Sequence, residues 1–266
     1  MDKTLATLLE LSHQLGSLPT MIQGGGGNIS VKNDTALYIK ASGTTFKNMT
    51  INHGYAVIDR KTQVILGSTA TIRPSMELPM HLSLPNITIH THPVYVNVFN
   101  CMVNGTEILH KLFDDLKPLF VTYHTPGQAL ARAIQEQLKE NNNPKVLFLA
   151  NHGLITCSNN ANEALQLTLA INAKLERYLK INLPNFKEFS PVDYKTIIAP
   201  TTCLFPDAAV FLNTKNITPG IQEVFAANAY IIDTINKLNK TIKPLSVDEI
   251  YQLQNMESEQ YRKNIH

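Results

Sequence analysis

Apolar positions along this chain recur with two periods. Leu5, Leu8, Leu11 and Leu15 fall three or four apart, so residues 1–17 predict an amphipathic helix, which Gly24 to Gly27 stop abruptly. Residues 28–32 and 36–40 alternate in polarity on either side of Asn33-Asp34 and predict a hairpin. Residues 56–59 and 63–66 predict a second hairpin around Arg60-Lys61. A helix is expected over 74–84 with Pro79 near its first turn, then a strand over 87–92, a helix over 93–102 and another over 126–140, ended by the polar cluster 141–144. The continuous apolar run 145–150 reads as a buried strand, and 153–157 either extends it or pairs with it. Residues 159–180 form the longest helical pattern. Beyond Pro191 the signal weakens: 208–212 is expected as a strand, 221–238 as a helix, and 246–261 as a helix with an N-cap serine and Glu249 in the capping-box position. With no internal repeat or low-complexity linker, a single domain over 1–266 is expected, its core at about 1–200 and a C-terminal extension at about 201–266.

Composition narrows the class. Of 266 residues, 44% are hydrophobic and 17% charged, too apolar for a disordered chain. The 23 basic and 21 acidic residues leave a net charge of +2, without a block of like charges, which gives no case for a nucleic-acid partner. No apolar run approaches the ~18 residues that cross a bilayer. Asp2, Glu10 and His13 interrupt what a signal peptide would keep apolar. Cys101, Cys157 and Cys203 are odd in number and widely spaced, which argues against a disulfide framework. The expectation is a soluble, cytoplasmic protein with no membrane partner.

Candidate chemistry lies in a few short clusters. His90 and His92 alternate on a predicted strand, so they face one side, and Pro93 ends that strand where sites usually sit. His152 follows the strand 145–150 and offers a third imidazole, and three histidines with an open position suit catalytic zinc. On spacing alone, two ordinary strand histidines, one buried and one solvated, fit as well. His13, His53, His81, His110, His124 and His266 lack such partners and read as surface or core residues. The run Gln23-Gly24-Gly25-Gly26-Gly27-Asn28 lets backbone N–H groups approach an anion, or acts as a hinge. It is neither a P-loop nor a dinucleotide fingerprint, because a helix precedes it and a strand follows. Lys40, Ser42 and Thr44 in KASGTT offer donors to an anion, or form a polar loop with a solvated lysine. Glu77 is an isolated acid among Met76, Leu78 and Met80. It reads as a proton-transfer group if buried, or as a surface glutamate in a helix's first turn.

Taken in order, GGGGNIS, IKASG, PSMELPMH, HTHP and NHGL resemble the class II aldolase/adducin family from about residue 20 to residue 160. The resemblance implies a three-layer α/β/α fold around a central, largely antiparallel mixed sheet, assembled as a homotetramer with sites between subunits. It implies one Zn²⁺ per subunit on His90, His92 and His152, with Glu77 at the catalytic acid/base position. Gly27, Asn28, Lys40, Ser42, Gly43 and Ser75 fall where the family's aldolases hold substrate phosphate. Tyr123, in YHTPG, matches the family's fuculose-phosphate aldolase tyrosine, contributed by a neighbouring subunit to protonate the aldehyde oxygen. The implied reaction is zinc-dependent cleavage of a small ketose phosphate to dihydroxyacetone phosphate and an aldehyde through an enediolate.

Same-site epimerases, dehydratases and decarboxylases belong to the family too, as do non-catalytic adducin-like modules. Glu77 differs from the Asp of the epimerases, and the three histidines differ from the adducin-like members, which lack them. Met76 departs from a phosphate-binding hydroxyl residue, and glycines stand where the fuculose enzyme has a threonine. The tail, with Leu204-Phe205-Pro206-Asp207 and residues 246–263, resembles the aldolase half of proteins that fuse a rhamnulose-phosphate aldolase to a dehydrogenase.

Overall fold

The computed structural model describes residues 2–69, 72–141, 143–179 and 201–264. The expected boundary near residue 200 lies outside them. In chain order the elements are α1 (Lys3–Gly16), β1 (Asn28–Lys32), β2 (Ala36–Lys40), β3 (Tyr55–Asp59), α2 (Leu78–Ser83), β4 (Ile87–Thr91), α3 (Val94–Asn100), α4 (Gly105–Phe113), β5 (Leu119–Val121) and α5 (Gln128–Leu138). They continue with β6 (Val146–Leu149), β7 (Gly153–Ser158), α6 (Ala161–Leu179), α7 (Pro206–Val210), α8 (Pro219–Lys237), α9 (Val247–Asn255) and α10 (Glu257–Asn264).

The strands form one sheet in the order β3-β2-β1-β4-β7-β6-β5. Every neighbouring pair is antiparallel except β5 and β6, which are parallel. Helices cover both faces, as the period of two dictates: Leu147 and Leu149 of β6 pack with Met80 of α2 and with Leu130 and Ile134 of α5. Val146 and Phe148 point the other way, into a large core shared with α3, α4, α6 and the helices after residue 201. The leucine stripe of α1 closes a further cluster over Ile29, Val31, Ile87 and Ile89. This is the expected three-layer arrangement.

Antiparallel pairing gathers the site at one end of the sheet. β4 ends where both its neighbours begin: Asn28 of β1 pairs with His90, and Thr91 pairs with Leu154 of β7. β2 ends beside the start of β1, which brings Lys40 to the same end. Segment 73–75 is then stitched to the end of β2, with the Ser75 amide donating to the Lys40 carbonyl at 3.0 Å and the Ser42 amide to the Arg73 carbonyl at 2.9 Å.

Three local expectations change. Residues 208–212, expected as a strand, belong mostly to helix α7: Pro206 takes a first-turn position, Asp207 sits in that turn, and two alanines follow. The helix expected over 246–261 is two helices, because Met256 is extended (ψ 129°) and packs onto the main core. Its start is as expected, with Ser246 and Glu249 forming a reciprocal capping box. The second hairpin keeps only β3, and residues 63–66 contribute one bridge, Ile58 to Ile65. Gln63 there has a φ of 59°, which breaks the extended run. α4 and β5 had no counterpart in the sequence pattern.

Candidate functional site

His90, His92 and His152 are buried, and one ligand atom from each lies within 4.8 Å of the others. The Nε2 atoms of His90 and His92 are 3.1 Å apart. His152 occupies the turn between β6 and β7, and that turn is fixed from three sides. The Asn97 amide of α3 donates to the His152 carbonyl at 3.1 Å, and the Asn100 amide to the Gly153 carbonyl at 2.9 Å. Asn151, in the left-handed region at φ 52°, donates to the Leu204 carbonyl at 2.9 Å. Gly153 is needed for closeness: a Cβ there would stand 2.3 Å from the Thr91 carbonyl oxygen. Burial pushes the pKa of His90 down to about 4 and that of His152 to about 3, so both are neutral at pH 7, the form that binds metal.

Glu77 precedes α2 and reaches into the cluster, with Oε2 3.4 Å from Nε2 of His90 and Oε1 3.6 Å from Nε2 of His152. Burial opposes its ionisation, but His90 and His152, which become cationic in the acid range where Glu77 titrates, and a hydrogen bond from Asn28 more than offset that and lower its pKa to about 2. Its Oε1 has no hydrogen-bond partner among the described residues. Three converging imidazole nitrogens and an unpartnered buried carboxylate oxygen are the donor set that a divalent metal such as zinc takes.

A chain of polar groups fixes Glu77 from behind. Asn28 Nδ2 donates to Glu77 Oε2 at 2.7 Å and to Ser75 Oγ at 3.0 Å. The Asn28 Oδ1 contacts Nε2 of His81, whose Nδ1 is 2.7 Å from Ser30 Oγ. His81 is buried, and burial together with Lys32 pushes its pKa down to about 3, so a neutral ring with one donor and one acceptor nitrogen sets which way the Asn28 amide faces. Lys32 in turn donates to the carbonyls of His81, Leu84 and Pro85, satisfying the C-terminal end of α2. His81 was not distinguishable in the sequence from a core histidine; only the fold brings it onto Asn28.

Beside the cluster lies a cleft whose lining includes Gly27, Asn28, Lys40, Ser42, Gly43 and Ser75, the six residues for which the family resemblance implies phosphate contacts. Lys40 donates to the Gly25 carbonyl at 3.1 Å and the Thr44 carbonyl at 2.7 Å. Burial, with Arg262 nearby, pushes its pKa down to about 7. Met76 and Pro126 add apolar wall. Tyr123 is not among the lining residues; its ring packs against the main core, and its buried hydroxyl has no partner among the described residues.

Three further charged residues, not among the candidates the sequence offers, line the cleft: Asp207, Glu259 and Arg262. Asp207 Oδ2 lies 2.9 Å from Nδ1 of His92, and Asp207 Oδ1 accepts from Arg262 Nη2 at 2.6 Å. The available signal was Asp207 itself, an acid behind a proline in the tail motif LFPD.

A fold with three histidines at one sheet end and an acid from a preceding loop defines a class, and the comparisons agree. The family model "Class II Aldolase and Adducin N-terminal domain" matches residues 6–179, and the chain belongs to that family. The L-fuculose phosphate aldolase of Haemophilus influenzae is 29% identical over 192 residues, covering 68% of this chain and 82% of that enzyme. The L-fuculose phosphate aldolase of Methanococcus vannielii is 28% identical over 170 residues, covering 60% and 86%. An uncharacterized oxidoreductase of Bacillus subtilis, YuxG, is 23% identical over 227 residues, 74% of this chain but only 32% of that longer protein. Among solved structures, the N-terminal class II aldolase domain of a conserved protein from Thermoplasma acidophilum matches with a TM-score of 0.57 at 21% identity, over 68% of this chain and 95% of that one. YgbL of Escherichia coli matches with a TM-score of 0.54 at 14% identity, over 94% and 97%. Among the described residues no helix is long and apolar enough to cross a membrane.

Proposed function

We propose that this chain is a zinc-dependent aldolase that cleaves a small ketose phosphate to dihydroxyacetone phosphate and an aldehyde. The observation that carries the reading is the position of Glu77, within 3.6 Å of two of three converging imidazoles and at the wall of a cleft lined by anion donors. One zinc ion per subunit, held by His90, His92 and His152, would supply Lewis-acid stabilisation of the negative charge that develops on substrate oxygens.

The chain's own residues do the rest. Ser42, Ser75 and Lys40, with backbone N–H groups at Gly27 and Gly43, hold the phosphate and so set the distance of the reacting carbon from Glu77, while the Asn28 amide, already given to Glu77 and Ser75, keeps both in place at the phosphate's edge. In the condensation direction ionised Glu77 removes a proton from carbon, and in cleavage the same carboxyl returns it to the carbon released when the carbon–carbon bond breaks. The other proton falls to the Tyr123 phenol of a neighbouring copy, which protonates the aldehyde oxygen in condensation and takes the hydroxyl proton in cleavage once assembly turns that hydroxyl, buried within its own chain, out to the adjoining site. That role requires an oligomer, and a homotetramer with sites between subunits provides it.

Incubation of the zinc-loaded protein with a panel of ketose phosphates tests the reading. Aldehyde and dihydroxyacetone phosphate are the expected products, and Glu77→Gln is expected to keep zinc while losing at least ~100-fold in turnover. An epimer, a dehydration product or released CO₂ in their place reassigns the reaction at the same site, and unchanged turnover in Glu77→Gln removes Glu77 from the mechanism.

A further inference from the structure

We propose that the tail beyond the family-matched region completes the metal centre: Asp207 orients the His92 ring, and Arg262 acts through Asp207 to hold it there. This rests on reading the three histidines as a metal site. An imidazole that presents Nε2 to a metal is commonly held at its opposite nitrogen, which fixes the tautomer and the orientation of the ring. His90 has such a hold within the sheet, its Nδ1 lying 3.1 Å from the Leu154 carbonyl. His92 lies one residue past the end of β4, and there the Asp207 carboxylate stands 2.9 Å from its Nδ1, a close polar contact that a small turn of either group aligns as a hydrogen bond.

Asp207 is itself restrained. It sits in the first turn of α7, and its side chain is 4% exposed. Arg262 of α10 donates to it at 2.6 Å, and the guanidinium also lies 2.8 Å from Glu259 and over the Phe211 ring, 5.2 Å from its centroid. With Lys40 protonated, the formal charges of Asp207, Glu259 and Glu77 against Arg262 and Lys40 leave the buried cleft one unit negative. A divalent cation reverses that sign and makes the cleft receptive to an anion.

The glycine run gives an independent sign of the same contact. A Cβ on Gly26 would stand 2.6 Å from Asp207 Oδ2 and 2.8 Å from His92 Nδ1, so a side chain there would occupy the space between these two groups. Gly26 thus keeps open the approach of Asp207 to His92, a role separate from any contact with phosphate.

Metal titration of the full chain tests this. Zn²⁺ affinity is read by competition with a chromophoric chelator, and the Co²⁺-substituted protein by its visible absorption bands. Asp207→Asn, nearly isosteric, is expected to weaken Zn²⁺ binding about 10- to 100-fold and to shift the Co²⁺ bands. Gly26→Ala is expected to lower affinity in the same direction. Arg262→Met is expected to weaken binding less than Asp207→Asn, and the double variant to bind no worse than Asp207→Asn alone, because Arg262 acts through Asp207. Thermal unfolding of each metal-free variant separates loss of metal affinity from loss of fold. Wild-type Zn²⁺ affinity and unchanged Co²⁺ bands in folded Asp207→Asn would overturn this role and leave the metal site standing. A wild-type chain that takes up neither ion would overturn the metal reading and this role with it.

Discussion

Asn28 and Glu77, 49 residues apart in sequence, are joined by a 2.7 Å hydrogen bond in which the amide donates to the carboxylate, and His81 holds that amide from the other side. Removing His81 leaves Asn28 Oδ1 and Ser30 Oγ unpaired in a buried site. His81→Ala is expected to cost about 2 kcal/mol of stability. It is also expected to reduce turnover while zinc stoichiometry stays at one, because the Asn28 amide is then free to turn away from Glu77. Denaturant unfolding, a zinc assay and kinetics on one preparation check all three, and unchanged stability would show that the Ser30–His81–Asn28 chain does not contribute.

Lys40 gives a pH dependence with a definite sign. Burial and Arg262 lower its pKa to about 7, while Asp207 and Glu77 oppose that shift. It is therefore cationic below about pH 7 and neutral above. Sulfate, which does not titrate in this range, is expected to bind the zinc-loaded protein more weakly as pH rises from 6 to 9, with proton uptake on binding at the upper end. Calorimetry in two buffers measures both, and Lys40→Met should flatten the profile. A wild-type profile as flat as the variant's would remove Lys40 from anion binding.

Gly153 sets the approach of the β6–β7 turn to β4. A Cβ would meet the Thr91 carbonyl oxygen at 2.3 Å and the His92 ring at 3.1 Å, with backbone that cannot yield. Gly153→Ala is expected to lower stability by about 2 kcal/mol and to weaken metal binding by displacing His152. Unfolding of the metal-free variant and a chelator competition read the two effects separately, and wild-type values in both would show that the turn has slack.

The sheet end was legible where one local rule governed it. Two-residue alternation placed His90 and His92 together, the glycines marked the break between α1 and β1, and the apolar run at 145–150 marked the strand that carries His152. What was not legible depends on register and long-range packing. No local pattern places Asp207 beside His92, 115 positions earlier, or turns His81 toward Asn28 rather than into plain core. Residues 208–212 show the limit of periodicity: a five-residue apolar run fits a buried strand or a short helix equally, and the proline and acid before it were the better guide. The tail carried little pattern, yet α7, α8 and α9 supply a large share of the main core and α10 a wall of the cleft.

His152 stands in a different segment from the other two histidines, so His152→Ala tests convergence separately from strand geometry. The variant is expected to retain its fold and lose at least ~100-fold in zinc affinity, measured by chelator competition, since two imidazoles remain where three converged. Affinity equal to wild type would place the ion elsewhere.

Zinc K-edge X-ray absorption on the loaded protein is the most direct measurement. It is expected to show imidazole scattering from three rings, with zinc–nitrogen distances of about 2.0–2.1 Å. Two or fewer imidazoles, or sulfur in the shell, would contradict a centre built from His90, His92 and His152.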